Sequence, residues 1–575
     1  MAIGYTRSSK GRSSEGRSAE QKLADMRPSW VLWVVPSVGD LIFAALLGLL
    51  AFSTLSVRLL GDAGIGWHIR TGQMILATHV IPRVDPFSAT AFSATTGRAW
   101  FARAWFAWEW LYDVLVGWLD HAAGLNGVVL FTALVVAVVF AWTFRLLLRR
   151  GTNILLALLL VLLAASAAMI HFLARPHVVS WLFTVAWFWI LDSSEISCCA
   201  SDSKSFATSE PKLRRVRMLW LLPPLMLVWV NVHGGFLVGF VLLAIYWCSA
   251  TWRWLRPTGD RFDDVLRQIR AGRLVRVLTL AGIVSALATL VNPYGIYLHV
   301  HIYHYLTNRF LMNHINEFQS PNFHYVAQKC FAGLLLLTLV ALAVKKRAAG
   351  PARVSQALVV LFAVYSGLYA SRNIPVSSLL LILVIGPWLS EAMERFRGWR
   401  RGGRGFASPQ FLQRMEAIEF SLRGHLWPVA MVALTCWIAV HGGKLGAKPL
   451  MDAHFDAKRF PVAAVNYLEA QDKDVQGPLV APDEWGGYLI YRLYPRVRMV
   501  IDDRHDFYGE AFLKSYLKMV HVEPGWQDFL QQSRAHCVVV PKNSALANIL
   551  DETAGWRGIY SDDVATAFVR TAPWK

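Results

Sequence analysis

The sequence predicts a polytopic α-helical membrane protein of about eleven spans, followed by a small soluble α/β domain. Of its 575 residues, 55% are hydrophobic and only 17% are charged, and the mean hydropathy is +0.39. A soluble globule of this length has too little interior for so much apolar surface, whereas a bilayer solvates it. The composition excludes a collagen-like, coiled-coil or disordered chain, and the spacing of the six cysteines argues against a disulfide framework.

Apolar runs recur after a basic, Ser- and Gly-rich tail at residues 1–37, which we expect to be disordered. The aromatic segment 105–119 and the amphipathic segment 261–276 predict helices that lie at the membrane interface and do not cross it. The apolar runs predict spans near residues 38–58, 126–144, 153–172, 178–192, 219–231, 236–254, 277–291, 330–344, 354–370, 376–390 and 426–441.

The distribution of positive charge predicts the orientation of the chain. The predicted inner segments hold roughly 32 Lys and Arg residues, whereas the outer loops hold about seven. This positive-inside bias places the N-terminus in the cytoplasm and the C-terminus outside, in a pattern that suits a bacterial inner membrane. The net charge of +19 is then explained by inner loops beside anionic membrane lipids, and we expect no nucleic-acid partner.

The polar C-terminal part predicts an external α/β domain at residues 445–575, after a transmembrane domain at residues 38–444. No G-x-G-x-x-G or P-loop motif occurs there, so we expect no nucleotide cofactor. The acidic and basic run 502–506 could bind a metal or the acceptor, but a solvated loop at a strand end is slightly favoured. Val-rich runs and helical spacing predict strands at 497–501 and 537–540, helices at 511–519 and 526–532, and a hairpin at 559–569.

Ionisable and amide side chains gather in the predicted outer loops, above all in the first external loop 59–125 and the late external loop 292–328. A single His or Arg at a span end is usually a snorkelling side chain. A whole set on one face is costly near hydrocarbon and therefore indicates a functional site. The set includes Asp62, His68, Arg70, Asp85, Glu109, Arg175, His177, His233, Glu317 and Arg372.

This combination of side chains suits the displacement of a phosphate leaving group. A carboxylate can act as a general base toward a hydroxyl or amide acceptor. Two or three carboxylates can hold Mg²⁺ or Mn²⁺, which neutralises phosphate oxygens, and an Arg can do the same as a bidentate fork. A lipid-phosphate substrate would present its head group at this depth while its tail stays in the bilayer.

Several short motifs occur in the order found in one enzyme family. The first external loop contains Gly61-Asp62, then Trp67-His68-Ile69-Arg70, then Pro82-Arg83-Val84-Asp85-Pro86-Phe87. This order resembles the first external loop of the oligosaccharyltransferase catalytic subunit, which belongs to the polyprenyl-phosphate-dependent C-type glycosyltransferases (GT-C). Three later segments resemble that family's late-loop Glu, its lipid-phosphate Arg and its WWDYG acceptor motif, namely Asn316–Pro321, Ser371–Pro375 and Glu484–Tyr488.

The resemblance implies a GT-C fold and a sugar donor linked to polyprenyl phosphate. Asp62 and Glu317 match catalytic acids that would also hold any Mg²⁺ or Mn²⁺, and Arg372 matches the phosphate-binding Arg. Asp85 matches a second Asp of the first loop, for which structural and catalytic roles stay open. The predicted substrate-binding residues are Arg372, His68, Arg70, Asp85, Arg175, His177, His233 and Tyr488.

Two departures from the family pattern bear on the chemistry. The paired acids of the second external loop are replaced by Arg175-Pro176-His177, so a metal-free site of Arg and His is an alternative to a metal site. Only the Gly487-Tyr488 end of the WWDYG motif is present, which argues against transfer to Asn. The sequence therefore favours a different acceptor, such as a hydroxyl on protein, lipid or polysaccharide.

Three functions fit these observations, and the first is favoured. It is a membrane glycosyltransferase that moves a sugar from a polyprenyl-phosphate-type donor to an external acceptor. The second is a transporter or flippase for a lipid-linked sugar, which predicts an internal repeat that the sequence does not clearly show. The third is a non-catalytic GT-C-fold subunit of a membrane complex, since a fold does not guarantee a function.

Overall fold

The computed structural model describes most of the chain. The described residues are 31–89, 105–199, 215–256, 262–345, 353–399, 409–422, 424–471, 477–572 and 574. Most of the predicted N-terminal tail and part of the first external loop therefore lie outside them.

Helices dominate the described structure. The α-helices, in chain order, are Val31–Val34, Val38–Phe52, Leu55–Leu59, Ile65–Thr78, Trp110–Arg149, Ile154–Ala168, His177–Cys199, Leu222–Val230, Leu237–Leu255, Phe262–Ala288, Ile296–Thr307, Arg309–His314, Val326–Val344, Val354–Tyr369, Ile374–Trp399, Pro409–Ser421, Leu426–Val440, Val462–Ala470, Asp483–Leu493, His505–Tyr508, Glu510–Val520, Trp526–Gln532 and Ala545–Glu552. Short 3₁₀ turns occur at Met169–His171, Met218–Leu221, Gly234–Phe236, Asn316–Phe318 and Ser371–Asn373.

The chain is a multi-pass membrane protein. Within the described residues, seven helices are long and apolar enough to cross a membrane, or eight if the bent pair Arg414–Ser421 and Leu426–Val440 forms one span. The expected count of about eleven is not confirmed. The predicted spans near 178–192, 219–231 and 354–370 fall on helices outside that group.

The two segments that are predicted to lie at the interface each precede an apolar helix. Segment 105–119 contains the start of Trp110–Arg149, within which two helices meet at a kink at Gly124, where φ is 61°. The described part of segment 261–276 forms the first half of the helix Phe262–Ala288, which contains no proline that would end it earlier. The position of both segments at the membrane interface stays a prediction.

The C-terminal domain contains a four-stranded sheet of β3 (Leu479–Val480), β4 (Cys537–Pro541), β5 (Trp556–Ser561) and β6 (Ala565–Arg570), preceded by a small hairpin of β1 (Lys444–Leu445) and β2 (Lys448–Pro449). The strand order of the larger sheet is β3-β4-β6-β5, with β3 parallel to β4 and the other pairs antiparallel. The predicted strand at 497–501 forms only isolated bridges through Met499.

The first external segment, meaning the described part of the predicted first external loop 59–125, packs tightly against the C-terminal domain. The helix Ile65–Thr78 crosses Asp483–Leu493 where two glycines meet. A Cβ on Gly66 would lie 2.1 Å from the carbonyl oxygen of Gly487, and a Cβ on Gly487 would lie 2.2 Å from that of Ala63. Any larger side chain would push the two helices apart, so these glycines set the position of the domain over the membrane helices.

Candidate functional site

A cavity of about 1280 Å³ lies between the ends of the apolar helices and the C-terminal domain. Its wall combines residues that are far apart in the sequence, because the first external segment, the late external loop and the C-terminal domain all reach it. The predicted site residues on this wall are Asp62, Arg175, His177, His233, Glu317 and Arg372. The structure thus brings together both predicted acids and the predicted phosphate-binding arginine.

Arg175 joins two acids in one ion cluster on the cavity wall. Its Nη1 donates to Oδ1 of Asp62 at 3.0 Å and to Oδ2 of Asp503 at 2.7 Å. The indole of Trp67 donates to the other oxygen of Asp503 at 3.0 Å. The cluster needs a glycine beside it, since a Cβ on Gly64 would lie 1.6 Å from Nη1 of Arg175.

The two acids on Arg175 differ in environment. The side chain of Asp62 is 31% exposed and that of Asp503 only 15%. Burial raises the pKa of Asp503 to about 6, and the charge of Asp62 acts in the same direction while Arg175 opposes it. Asp62 is therefore the acid that is more accessible from the cavity. The more buried Asp503 holds Arg175 in place through its ion pair.

A second ion pair joins Glu317 and Arg372, with Nη1 of the arginine 3.3 Å from Oε1 of the acid. The guanidinium carbon lies 5.0 Å from the ring centroid of Phe318, a cation–π distance. Burial acts to raise the pKa of Glu317, but the charge of Arg372 and of neighbouring basic groups lowers it to about 2. The glutamate is thus ionised at neutral pH and holds the guanidinium on the cavity wall.

A third group on the cavity wall is centred on Glu109, the residue directly before the helix Trp110–Arg149. Nε2 of His68 lies 3.7 Å from one carboxyl oxygen of Glu109, and Nε2 of His233 lies 3.8 Å from the other. Burial raises the pKa of this carboxyl to about 8, although Arg175 and Arg372 oppose the shift. Glu109 is therefore mostly neutral at pH 7.

Solved structures with a similar fold are glycosyltransferases. The apo oligosaccharyltransferase of Archaeoglobus fulgidus superposes with a TM-score of 0.53 at 11% identity, over 93% of this chain and 74% of that chain. The AglB oligosaccharyltransferase of the same organism, in complex with an inhibitory peptide and a dolichol-phosphate, gives 0.54 at 11% identity, over 96% and 75%. This chain has the GT-C fold. The expected fold resemblance is confirmed.

ArnT from Cupriavidus metallidurans, in the apo state, gives a TM-score of 0.45 at 11% identity, over 92% of this chain and 96% of that chain. No protein-family model and no curated protein matches the sequence. At an identity of 11%, the comparisons show the fold alone, because one fold can carry different chemistries.

Four predicted substrate-binding residues lie outside the described cavity wall of this GT-C fold. Arg70 turns toward the C-terminal domain, where its Nε donates to the carbonyl of Tyr491 at 2.9 Å. Tyr488 is only 1% exposed, because it faces the domain core, and its hydroxyl accepts from Arg492 at 3.1 Å. His68 is buried behind Glu109. These three side chains lie behind the residues of the cavity wall, so they do not contact a substrate in the cavity.

Asp85 is the fourth residue outside the wall, and its contacts favour the structural role that the sequence left open. Its Oδ1 accepts from Nη1 of Arg504 at 2.7 Å, and both side chains are buried. Arg504 also donates to Oδ2 of Asp502 at 2.6 Å and packs over the ring of Trp105. The arginine therefore fixes the first external segment to the C-terminal domain of the GT-C fold.

The segment Asp502–Asp506 was interpreted as a solvated loop, and this is wrong. Asp503, Arg504, His505 and Asp506 all line the cavity. Asp506 accepts from Nε2 of His301 at 2.9 Å, and His505 pairs with Asp483 at 2.6 Å. The alternating acids and bases after a buried run are the signal in the sequence. The partners of Asp503, Arg504 and Asp506 include Arg175, Asp85 and His301, which lie hundreds of residues away.

The expected Mg²⁺ or Mn²⁺ site does not fit the side chains that are present. Both proposed ligands, Asp62 and Glu317, already pair with an arginine, which neutralises the charge that a divalent cation needs. In the described part of the chain, no group of three His, Cys, Asp or Glu side chains is arranged to hold a metal ion. The alternative of a metal-free site built on arginine and histidine therefore fits these side chains better.

Proposed function

We propose that this protein is a membrane glycosyltransferase that moves a sugar from a polyprenyl-phosphate-type donor to an external acceptor on protein, lipid or polysaccharide. The observation that carries the proposal is the shared cavity of Asp62 and Arg372, between apolar helices and a hydrophilic domain. A lipid phosphate would reach such a cavity from the bilayer, and a polar acceptor would reach it from water. The positive-inside bias supports an external position for this cavity.

Arg372 is suited to the phosphate of the donor. Among the described contacts, its ion pair with Glu317 uses only Nη1, so Nε and Nη2 remain for phosphate oxygens. A guanidinium binds phosphate in a bidentate fork and stays charged at every working pH. The dolichol-phosphate bound to the structurally similar AglB supports a donor of this class.

Asp62 is suited to the acceptor. It is the more exposed acid on Arg175, and it also accepts a hydrogen bond from the backbone N–H of Gly64 at 2.8 Å. As a general base it would take the proton of an acceptor hydroxyl. The acceptor oxygen then forms a bond to the anomeric carbon of the sugar while the bond from that carbon to the phosphate oxygen breaks. The electron pair leaves on the phosphate, where Arg372 stabilises it.

The test is consumption of lipid-linked sugar by the full-length protein. Membranes that contain the protein supply the acceptor, and radiolabelled undecaprenyl-phosphate sugars supply the donor. We expect transfer of label to an acceptor by the wild-type protein and a loss of about 10²- to 10⁴-fold in Asp62→Asn. Asp452→Asn is the matched control, because Asp452 is exposed and lies outside the described cavity wall.

The outcome also separates the alternatives. Equal transfer by Asp62→Asn and wild type would contradict the assigned role of Asp62. Movement of the lipid-linked sugar across liposomes without chemical conversion would replace the transferase with a transporter. Absence of both activities, together with constant association with a partner complex, would favour the non-catalytic subunit.

A further inference from the structure

Glu109 is a buried acid that the proposed transfer step does not use. It lines the cavity and is 9% exposed. Among the described contacts, it has no ion pair with Lys or Arg, in contrast to Asp62 and Glu317, and its basic neighbours are the imidazoles of His68 and His233. Such a group is costly to bury and is therefore a candidate for a specific role.

The hydrogen bonds of His233 decide which of its nitrogens carries a hydrogen. Nδ1 accepts from the backbone N–H of Gly235 at 3.0 Å and lies 2.9 Å from the hydroxyl of Ser180. That hydroxyl accepts from the indole of Trp229 at 2.8 Å and can donate to Nδ1. Burial holds the pKa of His233 well below 6.5, so the ring is neutral and its hydrogen is on Nε2, the atom nearest Glu109.

His68 is the second imidazole beside Glu109. Its Nδ1 lies 2.5 Å from Oδ1 of Asp113. Burial also holds the pKa of His68 well below 6.5, so its ring is neutral. Glu109 thus stands between two neutral imidazoles, and neither supplies the positive charge that would stabilise a carboxylate. A neutral carboxyl carries one O–H donor and one C=O acceptor.

The distances leave room for a ligand. At 3.7 and 3.8 Å, the two imidazoles are too far from Glu109 for direct hydrogen bonds, so the carboxyl can turn toward a group in the cavity. A hydroxyl both donates and accepts, as the neutral carboxyl does. The indole of Trp108, which also lines the cavity, offers a flat face for a sugar ring.

We propose that Glu109, on the cavity wall between His68 and His233, binds a hydroxyl group of the sugar on the lipid-linked donor. This inference rests on the proposed function. It names the residue that contacts the sugar of the donor, whereas Arg372 holds the phosphate. The other charged groups that act on Glu109 are Arg175, Arg372, Asp113, Asp503 and Asp506.

The experiment compares two kinds of lipid on the full-length protein in nanodiscs. Binding of undecaprenyl phosphate reports the phosphate site alone, and binding of undecaprenyl-phosphate glucose, galactose, mannose and N-acetylglucosamine adds a sugar. We expect Glu109→Ala to weaken the best-bound sugar lipid about tenfold and to leave undecaprenyl phosphate unchanged. Glu109→Gln, whose amide also donates and accepts, restores the binding of the sugar lipid at pH 7. Glu469→Gln, outside the described cavity wall, is the control.

A pH series separates this role from a structural one. The preference of the wild type for the sugar lipid falls as the pH rises through about 8, because Glu109 loses its proton, whereas Glu109→Gln shows no such fall. Equal weakening of both lipids by Glu109→Ala, or the same pH profile in wild type and Glu109→Gln, would overturn the inference alone. Failure of the wild type to bind undecaprenyl phosphate would overturn the proposed function as well.

Discussion

Nη1 of Arg372 lies 3.3 Å from Oε1 of Glu317, across two short 3₁₀ turns from different external segments. The turns are joined by Ser371, whose backbone N–H and hydroxyl both donate to the carbonyl of Gln319, at 2.9 and 3.1 Å. The guanidinium therefore has a fixed place on the cavity wall before any ligand arrives. Such preorganisation reduces the cost of ordering the side chain when a phosphate binds.

The Glu317–Arg372 pair makes stability depend on pH in a defined direction. The pKa of Glu317 is about 2 in the folded protein and close to 4.5 when unperturbed. The pair therefore stabilises the fold fully above pH 4.5, and this contribution is lost as the pH falls toward 2. We expect Glu317→Gln to lower the Tm at pH 7 and to approach the wild type only near pH 2, as measured by thermal unfolding in detergent. Glu510→Gln, in an exposed pair with Lys514, is the control. A difference in Tm that does not change with pH would contradict this account.

Gly64→Ala tests the ion cluster of Arg175 without removing a charge. The new Cβ would lie 1.6 Å from Nη1 of Arg175 and 2.4 Å from Oδ2 of Asp503. Both atoms are the ends of side chains, so the cluster moves while the fold persists. We expect sugar transfer to fall at least tenfold with little change in Tm, since small misplacements of reacting groups are costly.

The matched control is Gly333→Ala, which lies within the apolar helix Val326–Val344. Its new Cβ would come no closer than 3.8 Å to another side chain. This variant is expected to retain wild-type transfer. Full activity of Gly64→Ala would show that the position of Arg175 does not matter for the reaction.

Arg504→Gln tests how the C-terminal domain is held in place. The substitution leaves Asp85 and Asp502 buried without their cation, which typically costs about 3–5 kcal/mol. We expect a large fall in Tm and faster proteolysis between the membrane part and the domain. Arg492→Gln removes a more exposed pair with Glu469 and should cost less than about 1 kcal/mol. Similar Tm values for the two variants would exclude Arg504 as the main link.

Local sequence patterns predicted a large part of the C-terminal domain. The helices Glu510–Val520 and Trp526–Gln532 and the hairpin of β5 and β6 lie where periodicity placed them, because amphipathic spacing is a local property. The expected number of spans is not confirmed, because the predicted spans near 178–192, 219–231 and 354–370 fall on helices outside the group that is long and apolar enough to cross a membrane.

The candidate site was predicted in outline from the order of its motifs. Asp62, Glu317 and Arg372 share a cavity, but Tyr488 carries a motif match and is turned into the core by helix packing. Asp503 was missed because its importance depends on Arg175, which lies far away in the sequence. Burial and ion pairing between distant segments are tertiary properties, so no local pattern reveals them.

The most direct test of the central claim is the affinity of the full-length protein for undecaprenyl phosphate, measured for the wild type, Arg372→Gln and Arg492→Gln. Arg492 is also paired with a glutamate but lies outside the described cavity wall. We expect Arg372→Gln to weaken binding about 10- to 100-fold, the range for a lost charged hydrogen bond, and Arg492→Gln to bind like the wild type. Equal affinity of all three proteins would contradict a phosphate site at Arg372 and, with it, the proposed transferase.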